Sequence, residues 1–291
     1  MLRSAYAQRL NRFLDVLKDS LGPDVLSIDE GHYSRSSAGE VAYVLLQVKH
    51  AHRLTILFHG TGNDLLFTWQ PLIKALICSG RSVLLFDLDG HGTGSDTVLT
   101  RSGFHGAAAD LRRFLHDRTL DTHPYELVGY SLGALSILHA SFIQALNPDK
   151  IVLLALPLRI RLSARFVWNE LKSLLSAEFY RQWRRYGWRE TIPAFGRFRR
   201  RSFPLRLESP YQGRYPSLVD DLLHDTPPLA MAEKLSQNCL LIFGSDDALA
   251  SDQAAWRQAA PYAQILVIDR ANHFLLPFHS QTIEAISAWI G

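Results

Sequence analysis

The strongest constraint on the fold is a series of short apolar runs that alternate with helix-like segments. Runs that are apolar on both faces are typical of strands buried in a parallel sheet. Such runs, rich in Val, Ile, Leu and Phe, lie at 54–60, 82–90, 125–131, 150–157, 239–247 and 264–273. Segments with a helical pattern lie between or after them, at about 67–79, 102–117, 131–146, 252–260 and 281–290. We therefore predict an α/β fold, a mostly parallel sheet flanked by helices.

Two segments depart from this alternation and define the predicted domains. Residues 1–39 begin with apolar residues at helical spacing, interrupted by charges, which predicts an N-terminal helical extension rather than a signal peptide. Residues 158–230 contain no strand-like run and predict a helical insertion between the two parts of the core, 40–157 and 231–291. Within the core, the run at 40–48 predicts a strand that leads antiparallel into the next one.

Hydrophobic content and the two cysteines indicate where in the cell the protein is expected. No stretch reaches the roughly 18 uncharged apolar residues that a membrane span requires, so we expect no transmembrane segment. Cys78 and Cys239 both lie in apolar segments. We expect reduced core thiols and, with them, a cytoplasmic protein.

The predicted insertion is strongly basic and rich in aromatic residues. Residues 158–215 hold 13 Arg and 1 Lys against 4 Glu, a net charge of +10, whereas the whole chain is +3. Phe179, Trp183 and Tyr186 have helical spacing, which suits either packing onto the core or the lining of a substrate pocket. The arginines suit either a solvated face or an anionic substrate or lipid surface. We expect no nucleic-acid partner, because nothing else resembles a nucleic-acid-binding module.

A serine between two glycines marks the junction of one predicted strand with the next helix, in YELVGYSLGALSIL at 125–138. Gly129 and Gly133 lack a Cβ, so strand and helix can approach closely while the turn exposes Ser131. The N–H groups and the dipole of the helix would then face developing negative charge. The alternative is a glycine-rich turn without a chemical role.

Two later motifs supply the partners that a nucleophilic serine needs. A serine hydroxyl requires a base to take its proton, and the base requires an orienting carboxylate. GSDDALAS at 244–251 and RANHF at 270–274 each follow an apolar run. Because reactive groups in an open α/β sheet gather at the carboxyl ends of strands, we expect His273 and an aspartate to meet Ser131.

Taken together, these motifs resemble those of the α/β-hydrolase family, from about Glu40 to the end of the chain outside the insertion. The nucleophile elbow of the family matches GYSLG at 129–133, which implies that Ser131 is the nucleophile. The general base corresponds to His273. The acid of the family corresponds to Asp247, three residues after Gly244, with the adjacent Asp246 as the alternative.

The resemblance also implies an oxyanion hole, a lid and substrate contacts. The oxyanion loop matches HGTG at 59–62, so the implied donors are the N–H groups of Thr61 and Leu132. The insertion corresponds to a lid over the active site. Tyr130, Trp183 and Tyr186 are the expected substrate-binding side chains. DLDGHGTGSD at 87–96 resembles a further loop of the family, and we expect its histidine to be structural.

The implied activity is a serine hydrolase that cleaves a carboxylic ester through a Ser-His-Asp triad and an acyl-enzyme, without a metal or an organic cofactor. The expected partner is a small-molecule acyl ester or thioester. One alternative is a thioesterase or acyltransferase acting on a coenzyme A-bound acyl group or on an acyl carrier protein, which the basic insertion favours because both are often anionic. Another is a non-catalytic binding protein, since fold does not dictate function; an intact set of three residues argues against it.

Overall fold

One mixed sheet organises the part of the chain that the structure describes. The structure is a computed structural model and describes residues 11–15, 26–66, 68–92, 94–158, 168, 205–250 and 252–291. The strands are β1 (Leu26–Ser34), β2 (Glu40–Val48), β3 (Leu54–Phe58), β4 (Ser82–Phe86), β5 (Tyr125–Tyr130), β6 (Lys150–Leu154), β7 (Cys239–Gly244) and β8 (Gln264–Ile268). They lie in the order β1-β2-β4-β3-β5-β6-β7-β8.

The six strands β3 to β8 run parallel to one another, so their carboxyl ends meet at one edge of the sheet. The helices are α1 (Gln70–Cys78), α2 (Arg101–Asp117), α3 (Leu132–Phe142), α4 (Tyr215–Asp225), α5 (Pro228–Ala232), α6 (Gln253–Ala259) and α7 (Ser280–Ile290). Every residue of β3 and β5 is buried, as the continuous apolar runs predict. The predicted α/β fold is confirmed.

The strand at 40–48 is antiparallel, as predicted, but its neighbours differ from the expectation. β2 pairs antiparallel with β1 on one side and with β4 on the other, rather than with β3. Strand order depends on contacts between distant segments, which a local apolar pattern does not encode.

The prediction of a helical extension over 1–39 is wrong for its last part. Residues 11–15 are helical, but residues 26–34 form β1, which pairs with β2 along its full length. β1 lies at the edge of the sheet, and its sequence, LSIDEGHYS, carries polar residues that an edge strand exposes. It therefore lacks the apolar run by which the buried strands are recognised.

The two cysteines have different environments. Cys239 is buried at the start of β7, whereas Cys78 is exposed. The buried face of α1 consists of Leu72, Ile73, Leu76 and Ile77, and Cys78 is the next residue along, turned away from it. The expectation of a core thiol is therefore wrong for Cys78.

Most of the predicted lid lies outside the described residues. Residues 159–167 and 169–204 are not described, and the returning part of the segment contains α4 and α5. Arg206 fixes this return to the loop after β4: its guanidinium donates to the carbonyls of Thr97, Gly92 and His91. The searched part of the chain contains no helix long and apolar enough to cross a membrane.

Candidate active site

Ser131 occupies the sharp turn that joins β5 to α3. Its φ of 53° and ψ of −113° are unusual for a residue with a side chain, and such conformations cost of order 1–3 kcal/mol. The surroundings impose it: the Ser131 N–H donates to the Leu154 carbonyl of β6 at 2.9 Å, and its carbonyl accepts from Leu135 of α3 at 3.0 Å. The turn holds the serine at the carboxyl edge of the sheet.

The glycines on either side of Ser131 let α3 lie directly against the sheet. A Cβ at Gly133 would be 2.2 Å from the Phe58 carbonyl oxygen of β3. A Cβ at Gly129 would be 2.8 Å from the backbone nitrogen of Ala134. Both clashes involve backbone atoms, which cannot rotate away. The close approach of strand and helix is therefore as the sequence predicts.

His273 lies between Ser131 and Asp247. Its Nε2 is 3.0 Å from Ser131 Oγ, and its Nδ1 is 2.8 Å from Asp247 Oδ2. A carboxylate oxygen only accepts hydrogen bonds, so Nδ1 carries the proton and Nε2 accepts from the serine hydroxyl. The structure thus brings together three side chains that the sequence places after three separate strands.

Asp247 is buried and oriented by the backbone of its own loop. Its Oδ1 accepts from the N–H groups of Leu249 at 2.9 Å and Ala250 at 3.2 Å, which leaves Oδ2 for His273. Asp246 is exposed and accepts from the Ser245 hydroxyl at 3.2 Å. Of the two adjacent carboxylates, Asp247 is the one that faces the histidine.

The loops that carry the acid and the histidine are bonded to each other. The Ser245 N–H donates to the Ile268 carbonyl at 2.9 Å, and the Asp246 N–H donates to the Ala271 carbonyl at 3.1 Å. The Ser245 hydroxyl accepts from the Arg270 N–H at 2.8 Å. These contacts fix the distance between the ends of β7 and β8, and with it the contact of Asp247 with the histidine.

The loop at 59–62, which the resemblance assigns to the oxyanion hole, lies against Ser131. A Cβ at Gly60 would be 3.3 Å from Ser131 Cβ. Within the described part of the chain, neither the Thr61 N–H nor the Leu132 N–H has a hydrogen-bond acceptor. Within that part of the chain, both N–H groups are available to donate to a bound substrate.

His59 ties the oxyanion loop to the end of β4. Its Nε2 accepts from the Leu88 N–H at 2.9 Å, so its proton is on Nδ1, which donates to the Gly60 carbonyl at 2.8 Å. Burial lowers the pKa of His59 to about 4. The imidazole is thus neutral, and both of its nitrogens serve the backbone rather than a reaction.

The loop after β4 contains two further buried ionisable groups, Asp87 and His91. Asp87 accepts from the Leu65 N–H at 3.0 Å and from the Ser95 hydroxyl at 2.9 Å, and burial raises its pKa to about 7. Burial, with the neighbouring His59, lowers the pKa of His91 to about 3. His91 is buried and bonds the Asp89 carbonyl at 2.8 Å, consistent with the expected structural position.

Two tyrosines contact the loops of the site. The Tyr130 hydroxyl donates to the His273 carbonyl at 3.0 Å, and the side chain is almost fully buried beside the elbow. Tyr215, the first residue of α4, shares a hydrogen bond with the Thr61 hydroxyl. Sequence reasoning missed Tyr215; a helical pattern of apolar residues begins just after it, but nothing local indicates what the tyrosine contacts.

The remaining predicted residues cannot be placed at the site. Trp183 and Tyr186 lie outside the described residues, so their substrate contacts stay predictions. Within the described ranges, no group of three or more His, Cys, Asp or Glu side chains could hold a metal ion.

Several solved structures are similar to this one. A hydrolase from Pseudomonas aeruginosa PA01 has a TM-score of 0.64 at 16% identity, covering 90% of this chain and 98% of its own. A thioesterase domain from the curacin biosynthetic pathway has a TM-score of 0.62 at 16% identity, with coverage of 91% and 99%. A thermophilic esterase from Thermogutta terrifontis has a TM-score of 0.60 at 19% identity, with coverage of 90% and 98%. At these identities the likeness shows the fold alone.

Comparison by sequence identifies the family. Comparison with curated proteins found no match. A family model described as the alpha/beta hydrolase family matches residues 55–289, which include the elbow at Ser131 and the loops that carry Asp247 and His273. The chain therefore belongs to the α/β-hydrolase family.

Proposed function

We propose that this hydrolase cleaves carboxylic esters, with Ser131 as nucleophile, His273 as general base and Asp247 as the carboxylate that orients the histidine. The continuous hydrogen-bonded series from Asp247 through His273 to Ser131 carries the proposal. In this series Nδ1 donates to Asp247, so Nε2, which accepts from the serine hydroxyl, is the nitrogen that takes the proton.

In the first half of the reaction, Ser131 Oγ attacks the ester carbonyl carbon and its proton passes to His273 Nε2. The carbonyl oxygen becomes an oxyanion, to which the N–H groups of Thr61 and Leu132 donate; each such donor is worth about 3 kcal/mol of barrier. The tetrahedral intermediate collapses, the bond to the leaving oxygen breaks, and His273 gives its proton to the departing alcohol.

In the second half, water attacks the acyl-enzyme. His273 takes a proton from the water, a second oxyanion forms on the same donors, and the Ser131 ester bond breaks. The serine recovers its proton from His273 as the carboxylic acid leaves. The partial exposure of Ser131 and the almost complete burial of Asp247 suit this division, because the nucleophile meets the substrate while the acid stays shielded.

Intact-protein mass spectrometry tests the nucleophile. The protein, its Ser131→Ala variant and a Ser141→Ala control on the same helix are mixed with short and long p-nitrophenyl esters and with an acyl-coenzyme A. We expect an acyl adduct on the wild type and the control, none on Ser131→Ala, and a loss of turnover of more than about 10³-fold in that variant. Absence of an adduct from every donor would overturn the assignment of Ser131 and favour a binding protein.

A thioester is the second candidate substrate, supported by the charge of the insertion. The span 158–215 has a net charge of +10, which would favour coenzyme A or an acidic acyl carrier over a neutral ester. The same triad would transfer the acyl group to water or to another acceptor. Faster formation of the adduct from acyl-coenzyme A than from the matched ester would favour this candidate.

A further inference from the structure

Helix α4, in the returning part of the predicted insertion, packs on the core through one face. Its buried face consists of Leu218, Val219, Leu222 and Leu223. At its end, Asp225 accepts three hydrogen bonds from Arg101 of α2, at 2.9, 2.6 and 2.5 Å. The start of the helix therefore has a defined position relative to the sheet.

That start is in contact with the oxyanion loop. The Tyr215 hydroxyl and Thr61 Oγ1 share a hydrogen bond in which either oxygen can donate. Burial raises the pKa of the Tyr215 hydroxyl, so the phenol is protonated at neutral pH. The contact joins residues 154 positions apart in the sequence.

Among the described residues, Tyr215 is the only hydrogen-bond partner of the Thr61 side chain. The turn at 60–63 is closed by one long backbone hydrogen bond, from the Asn63 N–H to the Gly60 carbonyl at 3.3 Å. An oxyanion donor is effective only when its N–H lies within about 2.7–3.1 Å of the developing charge. The position of the Thr61 N–H therefore depends on what holds the Thr61 side chain.

We propose that Tyr215 is a positioning residue of the active site: its hydrogen bond to Thr61 holds the Thr61 N–H in the oxyanion hole, so that α4 forms part of the catalytic apparatus. The inference rests on the proposed function, because it assigns the Thr61 N–H to the oxyanion. It predicts that the two hydroxyls, remote in sequence, act as one unit.

The test compares Tyr215→Phe, Thr61→Val, the double variant and Thr61→Ser. Each of the first two removes one hydroxyl without removing the backbone N–H of residue 61 itself. We expect kcat for a p-nitrophenyl ester to fall by about tenfold in either variant, with KM changed less than twofold, because a displaced donor weakens binding of the transition state but not of the ester. The double variant should lose no more than either single one, and Thr61→Ser should retain most of the rate.

Tyr211→Phe is the matched control, since the Tyr211 hydroxyl bonds Asp221 of α4 rather than the loop. Amide hydrogen exchange of the peptide at 59–63 is followed in all variants and needs no substrate. We expect faster exchange in Tyr215→Phe and Thr61→Val, and wild-type exchange in Tyr211→Phe.

The outcomes separate this inference from the proposed function. Tyr215→Phe with wild-type kcat and exchange, or losses that multiply in the double variant, would overturn the positioning role while the wild-type acyl adduct still supports a serine hydrolase. A wild type that forms no adduct from any donor would overturn both proposals. In that case altered exchange in Tyr215→Phe would establish only that the contact orders the loop.

Discussion

At the scale of single residues, the adjacent carboxylates of Asp246 and Asp247 differ in burial and in their hydrogen-bond partners. Asp247 is buried, accepts from two backbone N–H groups and faces His273 Nδ1. Asp246 is exposed and contacts the Ser245 hydroxyl. Orientation of the imidazole therefore depends on Asp247, and replacement of each carboxylate by its amide separates the two.

We expect Asp247→Asn to lower kcat by about 10⁴-fold, because the amide can donate to Nδ1 and so stabilise the tautomer that leaves Nε2 protonated. Asp246→Asn should change kcat by less than about threefold, as expected for an exposed side chain without a reacting partner. Steady-state kinetics with the same ester measures both. Equal losses in the two variants would contradict the assignment of the acid.

The sequence alone leaves this choice open for a physical reason. Both aspartates lie within three residues of Gly244, and either could turn inward. The Asp247 N–H donates to the Gly244 carbonyl at 3.3 Å, and this turn directs the Asp247 side chain toward the histidine. Ser131 and His273 could be located from the sequence because Ser131 directly follows β5 and His273 lies in the loop after β8, at the edge where the carboxyl ends meet.

At the scale of secondary structure, the contact of α3 with β3 sets the position of Ser131, the proposed nucleophile. Gly133 lies in the first turn of α3, and only the absence of a Cβ lets that turn lie against the Phe58 carbonyl. Gly106 of α2 is a helical glycine in a different environment, where a Cβ would lie 3.1 Å from a side-chain atom, the Ser36 hydroxyl that bonds Asp110.

We expect Gly133→Ala to destabilise the protein by about 1–3 kcal/mol, because α3 must move away from β3. The same movement displaces Ser131, so kcat should fall by about 10²-fold. Gly106→Ala should leave kcat unchanged and change stability by no more than about 1 kcal/mol, since the helix preference of alanine is offset by its close approach to Ser36 Oγ. Urea unfolding and ester kinetics measure both variants, and equal behaviour would contradict a steric requirement at Gly133.

The secondary-structure elements also differ in how clearly a local sequence pattern predicts them. The interior strands and α1, α2, α3, α6 and α7 match predicted segments to within a few residues, because burial on both faces or on one helical face leaves a local pattern. β1 carries no such pattern, because its sequence LSIDEGHYS mixes apolar with polar residues. α4 has a helical apolar face, but no local pattern predicts the contact of its first residue with Thr61, because that contact joins distant parts of the chain.

At the scale of the whole molecule, three buried ionisable groups beside the site link stability to pH with opposite signs. Burial lowers the pKa of His59 to about 4 and that of His91 to about 3. Unfolded histidines titrate near 6.5, so their contribution to stability is complete above pH 6.5 and is lost as the pH falls toward 4.

Burial raises the pKa of Asp87 to about 7. Its contribution is complete below the unfolded value of about 4 and is lost as the pH rises toward 7. Between pH 4 and 6.5, Asp87 therefore offsets one histidine.

Replacement of Asp87 by asparagine removes this offset, because the amide does not titrate. Relative to the wild type, the free energy of unfolding of Asp87→Asn should fall more steeply on acidification, by about 1.4 kcal/mol per pH unit between pH 6.5 and 4.5. Urea unfolding at closely spaced pH values measures the difference between the two curves, and the other carboxyls cancel in that difference. Asp269→Asn is the control, since the side chain is largely exposed, and its curve should run parallel to the wild type. A parallel curve for Asp87→Asn as well would mean that Asp87 is ionised in the folded protein throughout this range, and that the two histidines act on stability without opposition.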